Sequence, residues 1–446
     1  MTRTPPSARC CRRTRRPHRP ADPPAARGRR PVRNLRAPRG RPSTAPRPRA
    51  SVRRVARTYS HVVIGAGAVG SAAAYWLARA GAERVLVVEQ FDLVNSLGSS
   101  GDHSRIIRRS YHRPEYVRLT DAMFAAWDRV EQESGLRVLT RTGGLDLAPP
   151  SPDGTDRLAV FRDAMAAGGA RFEDLSTADL RARYPQWRVP DGTTALHQAD
   201  AGLIDIRRSV SAHTSLALAA GVEFWPHTRV TGVDVRAGGV TVRTSAGDVD
   251  AGGLVVAAAS WLGDLMPDLG LDFRLTLSEE QVDYVASSRL TDFTPERFPI
   301  WVWHGDEVMY GFPVYGEAGV KIARDMRGHF VTSEGRTHRP DPVTTERSRE
   351  FLARHLPAAA GPALRSAVCV YDMPPDREFV LDTVPGHPHV AVFNGAGHGG
   401  KFASLVGSVL ADLVTAGSTA HDIAAFALTR PAITDPGYAA DFGLHA

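Results

Sequence analysis

The period of the apolar positions changes several times along the chain, and the first changes mark a strand, a turn, a helix and a second strand. Val62-Val63-Ile64 is a short β-branched run that leads into Gly65-Ala66-Gly67-Ala68-Val69-Gly70. Ala73, Trp76, Leu77 and Ala80 follow at i, i+3, i+4 and i+7, which predicts a helix with one apolar face. Val85-Leu86-Val87-Val88 is the second strand, and it ends on Glu89. This is the βαβ fingerprint of an adenine dinucleotide site. Gly65 permits the tight turn, Gly67 has no Cβ to hold the backbone away from a pyrophosphate, and Gly70 lets the helix lie close on the strand. The helix start offers N–H groups and partial positive charge to phosphates. Glu89, 19 residues beyond Gly70, is placed to accept hydrogen bonds from a ribose.

Further on, Tyr116, Leu119, Met123, Trp127 and Val130 predict a helix from Pro114 to Glu133. Strand signals at 137–148 and a helix around 155–167 suggest a second domain inserted into the first. Leu254-Val255-Val256-Ala257-Ala258-Ala259 reads as a buried strand that returns to the nucleotide domain. Strand-like pieces follow at Gln281–Val285, Trp301–Trp303, Met309–Pro313, Val320–Arg324, Ser366–Tyr371, Phe379–Asp382 and Val390–Phe393. Phe402, Leu405, Val406, Val409, Leu410 and Leu413 then mark a helix opened by a second glycine-rich turn. The expected fold class is α/β. A discontinuous Rossmann-like domain takes 58–140, 205–270 and 365–446, and a second domain of mainly antiparallel β-sheet plus helices takes 141–204 and 271–364.

Composition changes the picture mainly at the N-terminus. The chain has 446 residues and 43% hydrophobic content, enough for one large core or two smaller ones. Its net charge of +7 conceals an asymmetry: residues 1–57 hold 19 Arg, no Lys and one acid, Asp22, so they carry +18 and leave about −11 for the rest. A Pro- and Arg-rich stretch with almost no aliphatic residues is expected to be disordered. Unspecific attraction to phosphates is open to it. No aromatics interleave its arginines, however, and no apolar core of a secretory signal follows, so it reads as an extension with the working chain beginning near Thr58. Cys10 and Cys11 lie there, which leaves Cys369 alone in the body and fits a reducing cytoplasm. No run approaches a bilayer span and no His/Cys cluster has metal spacing. The expected partner is a small molecule, with no metal, membrane or specific nucleic acid, and the chain a monomer or weak oligomer.

Candidate chemistry gathers in four places. The loop Gly98 to Ser104 runs into Arg105 and Arg108, which would share a face in a helical turn and bring cations to an anionic ligand, or form a solvated basic turn. Lys321 lies opposite Val320 and Ile322 on its strand, facing either water or something bound against the sheet. Ala367, Cys369 and Tyr371 share one strand face, and Cys369 is either a small buried hydrophobe or functional. Gly397-His398-Gly399-Gly400-Lys401 suits another part of a cofactor or an anionic substrate, with His398 structural or functional.

These residues resemble a known family, the FAD-dependent amine oxidoreductases of the D-amino-acid oxidase type, closest to the group of monomeric sarcosine oxidase, N-methyltryptophan oxidase and pipecolate oxidase. The most specific pieces are Ser104-Arg105-Ile106-Ile107-Arg108, Tyr310-Gly311-Phe312-Pro313, Ala367-Val368-Cys369-Val370-Tyr371 and Gly397 to Phe402. The resemblance implies that Gly65, Ala66, Gly67, Val69, Gly70 and Glu89 hold the ADP half of FAD, with Val230 near the adenine. It places Ser104, Arg105, Gly397, Gly399 and Gly400 by the flavin and makes Cys369 its covalent thioether attachment. Arg108 and Lys401 would grip a substrate carboxylate, Tyr310, Tyr371 and His398 would line the pocket, and Lys321 would stand where dioxygen is activated. Asp325 in place of a histidine, Ala259 in place of a glycine and the Asp102-His103 order depart from the family pattern.

The implied reaction is oxidation of a secondary or N-methyl amino acid to an imine, followed by hydrolysis, with O2 reduced to H2O2. A dehydrogenase, a deoxyfructosyl amino acid oxidase or a cyclic imino acid oxidase would keep the fold. An NAD-dependent dehydrogenase would use the first motif alone.

Overall fold

The computed structural model describes residues 57–443. The Arg/Pro-rich extension, with Cys10 and Cys11, lies outside the described residues except for Arg57, which begins the first strand, Arg57–Ile64. That strand pairs in parallel with Val85–Val88 on one side and Val249–Val256 on the other. Glu223–Trp225 and His387–Asn394 extend the parallel core outward, and antiparallel hairpins complete an eight-stranded sheet. The helix Ala68–Arg79 lies on this sheet and packs against Ile206–Ala219 and Ala403–Ala416. Ala73 and Leu77 are buried as the period predicts, but Ala80 is the exposed C-cap, so the apolar face ends a turn early.

The glycine turn is sterically forced. Gly65 has φ +94°, and a Cβ on Gly70 would lie 1.8 Å from the Gly65 carbonyl oxygen, closer than any side chain allows.

A second, nine-stranded sheet carries most of the remaining strands, nearly all antiparallel. Thr276–Val285 is its spine, with Ala363–Met373 along one edge and Val320–Arg324 and His329–Val331 along the other. Residues 365–373, placed with the nucleotide domain from the sequence, are therefore hydrogen-bonded into this second sheet. The local strand signal was correct, but nothing in one strand's sequence names its partner. One face of the sheet packs Val285, Val320 and Ile322 against Trp301 and Leu352. A small third sheet joins Ser104–Ile107, Gly202–Asp205 and Leu139–Arg141. Ser104–Ile107 is thus a strand and not the helical turn expected around Arg105: β-branched Ile106 and Ile107 meet an open partner edge, and pairing decides the conformation. No helix among the described residues is long and apolar enough to cross a membrane.

Ala259, just past Val249–Val256, has φ +46°, a left-handed conformation that costs an L-residue about 1–2 kcal/mol. Ala259→Gly is expected to stabilise the protein by about 0.5–1 kcal/mol after the entropy cost of glycine is subtracted. Urea denaturation would show a higher midpoint at unchanged m-value, whereas a lower midpoint would mean that the turn relaxes without glycine.

Candidate active site

The pleat of the second sheet builds the site. Lys321 pairs with Tyr284 and Phe312, Tyr310 with Ala323, and Cys369 and Tyr371 with Glu280 and Ser278. Cross-strand partners share a face, so Lys321, Tyr310, Cys369 and Tyr371 all project to the side opposite the Val320–Ile322 core. They line a cavity of about 1550 Å³. Its other walls are the loop Gly98–Ser104, Arg105, Arg108 and the turn Gly397–Lys401. A second cavity of about 390 Å³ shares Gly67, Gly98, Ser99 and Ser100 with it and reaches Gly65, Ala66, Glu89 and Val230. The two glycine turns, far apart in sequence, thus border one elongated space.

Each cation in the large cavity has distinct partners. Arg105 donates to the carbonyls of Ser99, Gly101 and Ser104, all at 2.8 Å, and so fastens the loop it follows. Arg108 is ion-paired with the buried Asp146, which also lies 2.8 Å from His304 Nε2. Arg377, 1% exposed, makes a bidentate pair with Asp325 at 2.8 and 2.9 Å. Lys321, 2% exposed, meets Asp102 at 2.6 Å and donates to the Ser104 carbonyl at 2.9 Å. Lys401 differs. Its ammonium donates to Tyr111 Oη at 2.8 Å and the His398 carbonyl at 3.1 Å, and among the described residues no carboxylate is paired with it. Burial, then the charges of Arg108 and Arg377, lower its pKa to about 7. Burial likewise lowers Lys321, offset in part by Asp102, to about 8.

These are the only two lysines in the whole chain, against 53 arginines. A chain that otherwise uses arginine keeps lysine at the two cavity positions where a compact, titratable cation differs in kind from a guanidinium.

Several expected residues have other duties. Glu89 accepts from the backbone N–H of Ala66 at 2.8 Å and of Phe91 at 2.9 Å, so it braces the glycine turn as well as facing the small cavity. Arg108 is already neutralised by Asp146 and is only half of the free cationic pair its type suggested. His398 has Nδ1 3.3 Å from Tyr111 Oη and Nε2 3.1 Å from the Arg377 carbonyl, and its ring stacks on Phe379. Burial and the neighbouring Lys401 hold it neutral, which makes it a brace for the turn. Gly399 to Phe402 form a 3-10 turn ahead of the helix Ala403–Ala416, with Trp127 Nε1 donating to the Lys401 carbonyl at 2.6 Å. Tyr310 and Tyr371 hydroxyls are 3.3 Å apart, and a Cβ on Gly397 would lie 2.5 Å from the Tyr371 ring. Burial raises the thiol pKa of Cys369, against the pull of Arg105. The sequence did not single out Tyr111, Asp146 or Arg377, and marked Asp102 only for its place in the loop order; of the four, Asp146 alone stands among apolar neighbours, between Leu145 and Leu147.

A family model described as FAD dependent oxidoreductase matches residues 60–413. Monomeric sarcosine oxidase of Streptomyces avermitilis is 35% identical over 380 residues, covering 83% of this chain and 97% of the relative. An N-methyl-L-tryptophan oxidase of Escherichia coli O17:K52:H18 is 31% identical, covering 83% of this chain and 99% of the relative. Among solved structures, NikD, an unusual amino acid oxidase essential for nikkomycin biosynthesis, superposes with a TM-score of 0.73 at 27% identity, over 83% of this chain and 97% of its own.

The residues present fit FAD. Gly67 borders both cavities, and a Cβ there would meet only Ser100 Oγ at 3.1 Å, so its backbone faces open space at the start of Ala68–Arg79, where the Ala68 N–H donates to Ser100 Oγ at 2.8 Å. An elongated space that passes a glycine-opened helix N-terminus suits a dinucleotide with its pyrophosphate at the waist.

The unpaired Lys401 also has a stability consequence. Its folded pKa of about 7 lies below the ordinary lysine value of 10.5, so between these pH values the unfolded chain holds a proton the folded chain lacks, and stability rises with pH across that window. Below pH 7 both states are protonated and the full cost of the buried ammonium is present. Lys401→Met is therefore expected to be more stable than the parent at pH 7 by about 1–3 kcal/mol, with the gap closing toward pH 10. Denaturation curves at pH 6 to 9 measure this, and a variant less stable at pH 7 would overturn it.

Proposed function

The chain belongs to the FAD-dependent oxidoreductase family, and from that premise we propose that it oxidises a secondary or N-methyl amino acid to an imine, which water hydrolyses to an amine or amino acid and an aldehyde, while O2 is reduced to H2O2. Family membership sets aside the nicotinamide alternative. The observation that carries the substrate class is Lys401, a cation on the cavity wall whose hydrogen bonds go to neutral oxygens only. A buried ammonium without a counter-charge is costly, and a carboxylate entering beside it removes the cost. Arg108 lies close enough to depress Lys401, so the two cations present one electropositive surface even though Asp146 balances Arg108. An amino acid bound there is oriented by its carboxylate, and a plain amine lacks that handle.

FAD, when bound, supplies the two-electron acceptor that takes a hydride equivalent from the carbon next to nitrogen. In this reading Gly65, Ala66, Gly67, Val69, Gly70, Glu89 and Val230 hold its ADP half, and Ser104, Arg105 and the turn Gly397–Lys401 hold the other. Tyr310 and Tyr371 exclude water and remain protonated, because burial raises both phenols. Lys321 sets a fixed positive charge on the same sheet face, where it favours negative charge developing on an acceptor such as dioxygen. In this reading Cys369 is the covalent attachment of the flavin.

Two measurements test this reading. Lys401→Met is expected to raise KM for the amino acid about 10- to 100-fold, the loss of one charged hydrogen bond, while a decarboxylated analogue is affected much less. Equal effects on both would sink the carboxylate assignment. After acid precipitation the parent's yellow colour is expected in the pellet and that of Cys369→Ser in the supernatant. Colour released from the parent would return Cys369 to a packing role.

A further inference from the structure

Burial and Arg105 oppose the charge of Lys321, while the aromatic faces and the carboxylate beside it support it. Phe312 lies beneath the ammonium, 4.6 Å from ring centroid to Nζ, with Tyr284 at 5.8 Å. Arg105 comes from the strand Ser104–Ile107 and Cys369 from Ala363–Met373. The one carboxylate paired with it is that of Asp102. Asp102 is itself held by the Tyr284 hydroxyl at 2.8 Å and by Arg365 Nη1 at 3.0 Å, and Arg365 in turn lies 3.7 Å from Glu317, which pairs with His103 at 3.3 Å.

Two further features mark this pair as built. Asp102 has φ +70°, so the backbone adopts a left-handed conformation at the residue that delivers the carboxylate. The Arg105 guanidinium fixes the loop on both sides of it through the carbonyls of Ser99, Gly101 and Ser104.

We propose that Asp102 is the positioning residue that keeps Lys321 charged and aimed into the cavity. A lysine this deeply buried and beside an arginine sheds its proton at neutral pH unless an anion is supplied. Asp102 supplies that anion, and the charges of Lys321 and Arg105, working against burial, hold its own carboxyl well below the usual range. The two lysines therefore work differently: the charge of Lys321 is paired within the protein, while Lys401 gains its counter-charge only with the substrate.

The inference rests on the proposed function only for its catalytic consequence, since the ionisation is read directly. Because the chain has two lysines, holoenzyme labelled with 13C at lysine Cε gives two resonances, and Lys401→Arg identifies the one from Lys321. Asp102→Asn, with a residue tolerant of positive φ, is expected to lower the Lys321 titration midpoint by about 1–3 pH units. Asp102→Glu is expected to restore it to within about half a unit. A midpoint unmoved in Asp102→Asn overturns the proposal, as does a Glu variant that behaves like Asn. The pH profile of air reoxidation after photoreduction separates the two levels: if it ignores a shifted Lys321 midpoint, the ion pair stands and the placement of Lys321 at the acceptor falls.

Discussion

The hydrogen-bond register of the strand Thr276–Val285 with its neighbours is the constraint on which the site depends. Because side chains alternate along a strand, a slip of one residue on either edge would send Lys321 or Cys369 into the core and bring Ile322 or Val370 to the cavity. The opposite face prevents that slip. There Asp283 accepts from Ser348 at 2.8 Å, Thr345 at 2.9 Å and Ser366 at 2.6 Å, while Val285, Val320 and Ile322 join a packed apolar cluster. The face that does no chemistry therefore positions the face that does.

Charge is the second constraint, and it is balanced locally. Arg108 has Asp146, Arg377 has Asp325 and Lys321 has Asp102. Paired in this way, three buried or half-buried cations preserve the shape of a cavity that would otherwise repel itself. Among the described residues Lys401 and Arg105 have no carboxylate partner: Arg105 is spent on three loop carbonyls, whereas Lys401 meets a phenol and one carbonyl. Under the proposed function, an incoming carboxylate completes at Lys401 an arrangement already set up by the protein.

Signals confined to one segment were legible in the sequence. The glycine turn with its flanking strands, the helix Pro114–Ser134 and the strand Val320–Arg324 appear close to where their periods placed them. Partnership between distant segments was not legible. Asp146 on its strand looks like any acid between leucines, and only the fold brings Arg108 to it. Arg377 sits in a polar loop sequence yet is almost wholly buried, because Asp325, far away in the chain, accepts both of its terminal nitrogens. Arg105 and Arg108 were read at helical spacing, and the β-branched residues between them paired as a strand instead. The family resemblance supplied residue types at the cavity, but it could not supply the anions that this chain provides for them.

Those anions reach their cations across long stretches of chain. Asp325 is the partner of Arg377 and Asp102 that of Lys321, so in each case an acid faces a buried cation that the local sequence does not announce. Ala259 is a different case, since its left-handed backbone adds strain just past the strand Val249–Val256. The glycine turns act through backbone shape and the ion pairs through charge, yet both border the same elongated space. Exchanging an acid such as Asp102 or Asp325 for a neutral residue therefore changes the charge along one wall of the cavity, while the turns, set by steric demand at Gly65 and Gly70, keep its shape.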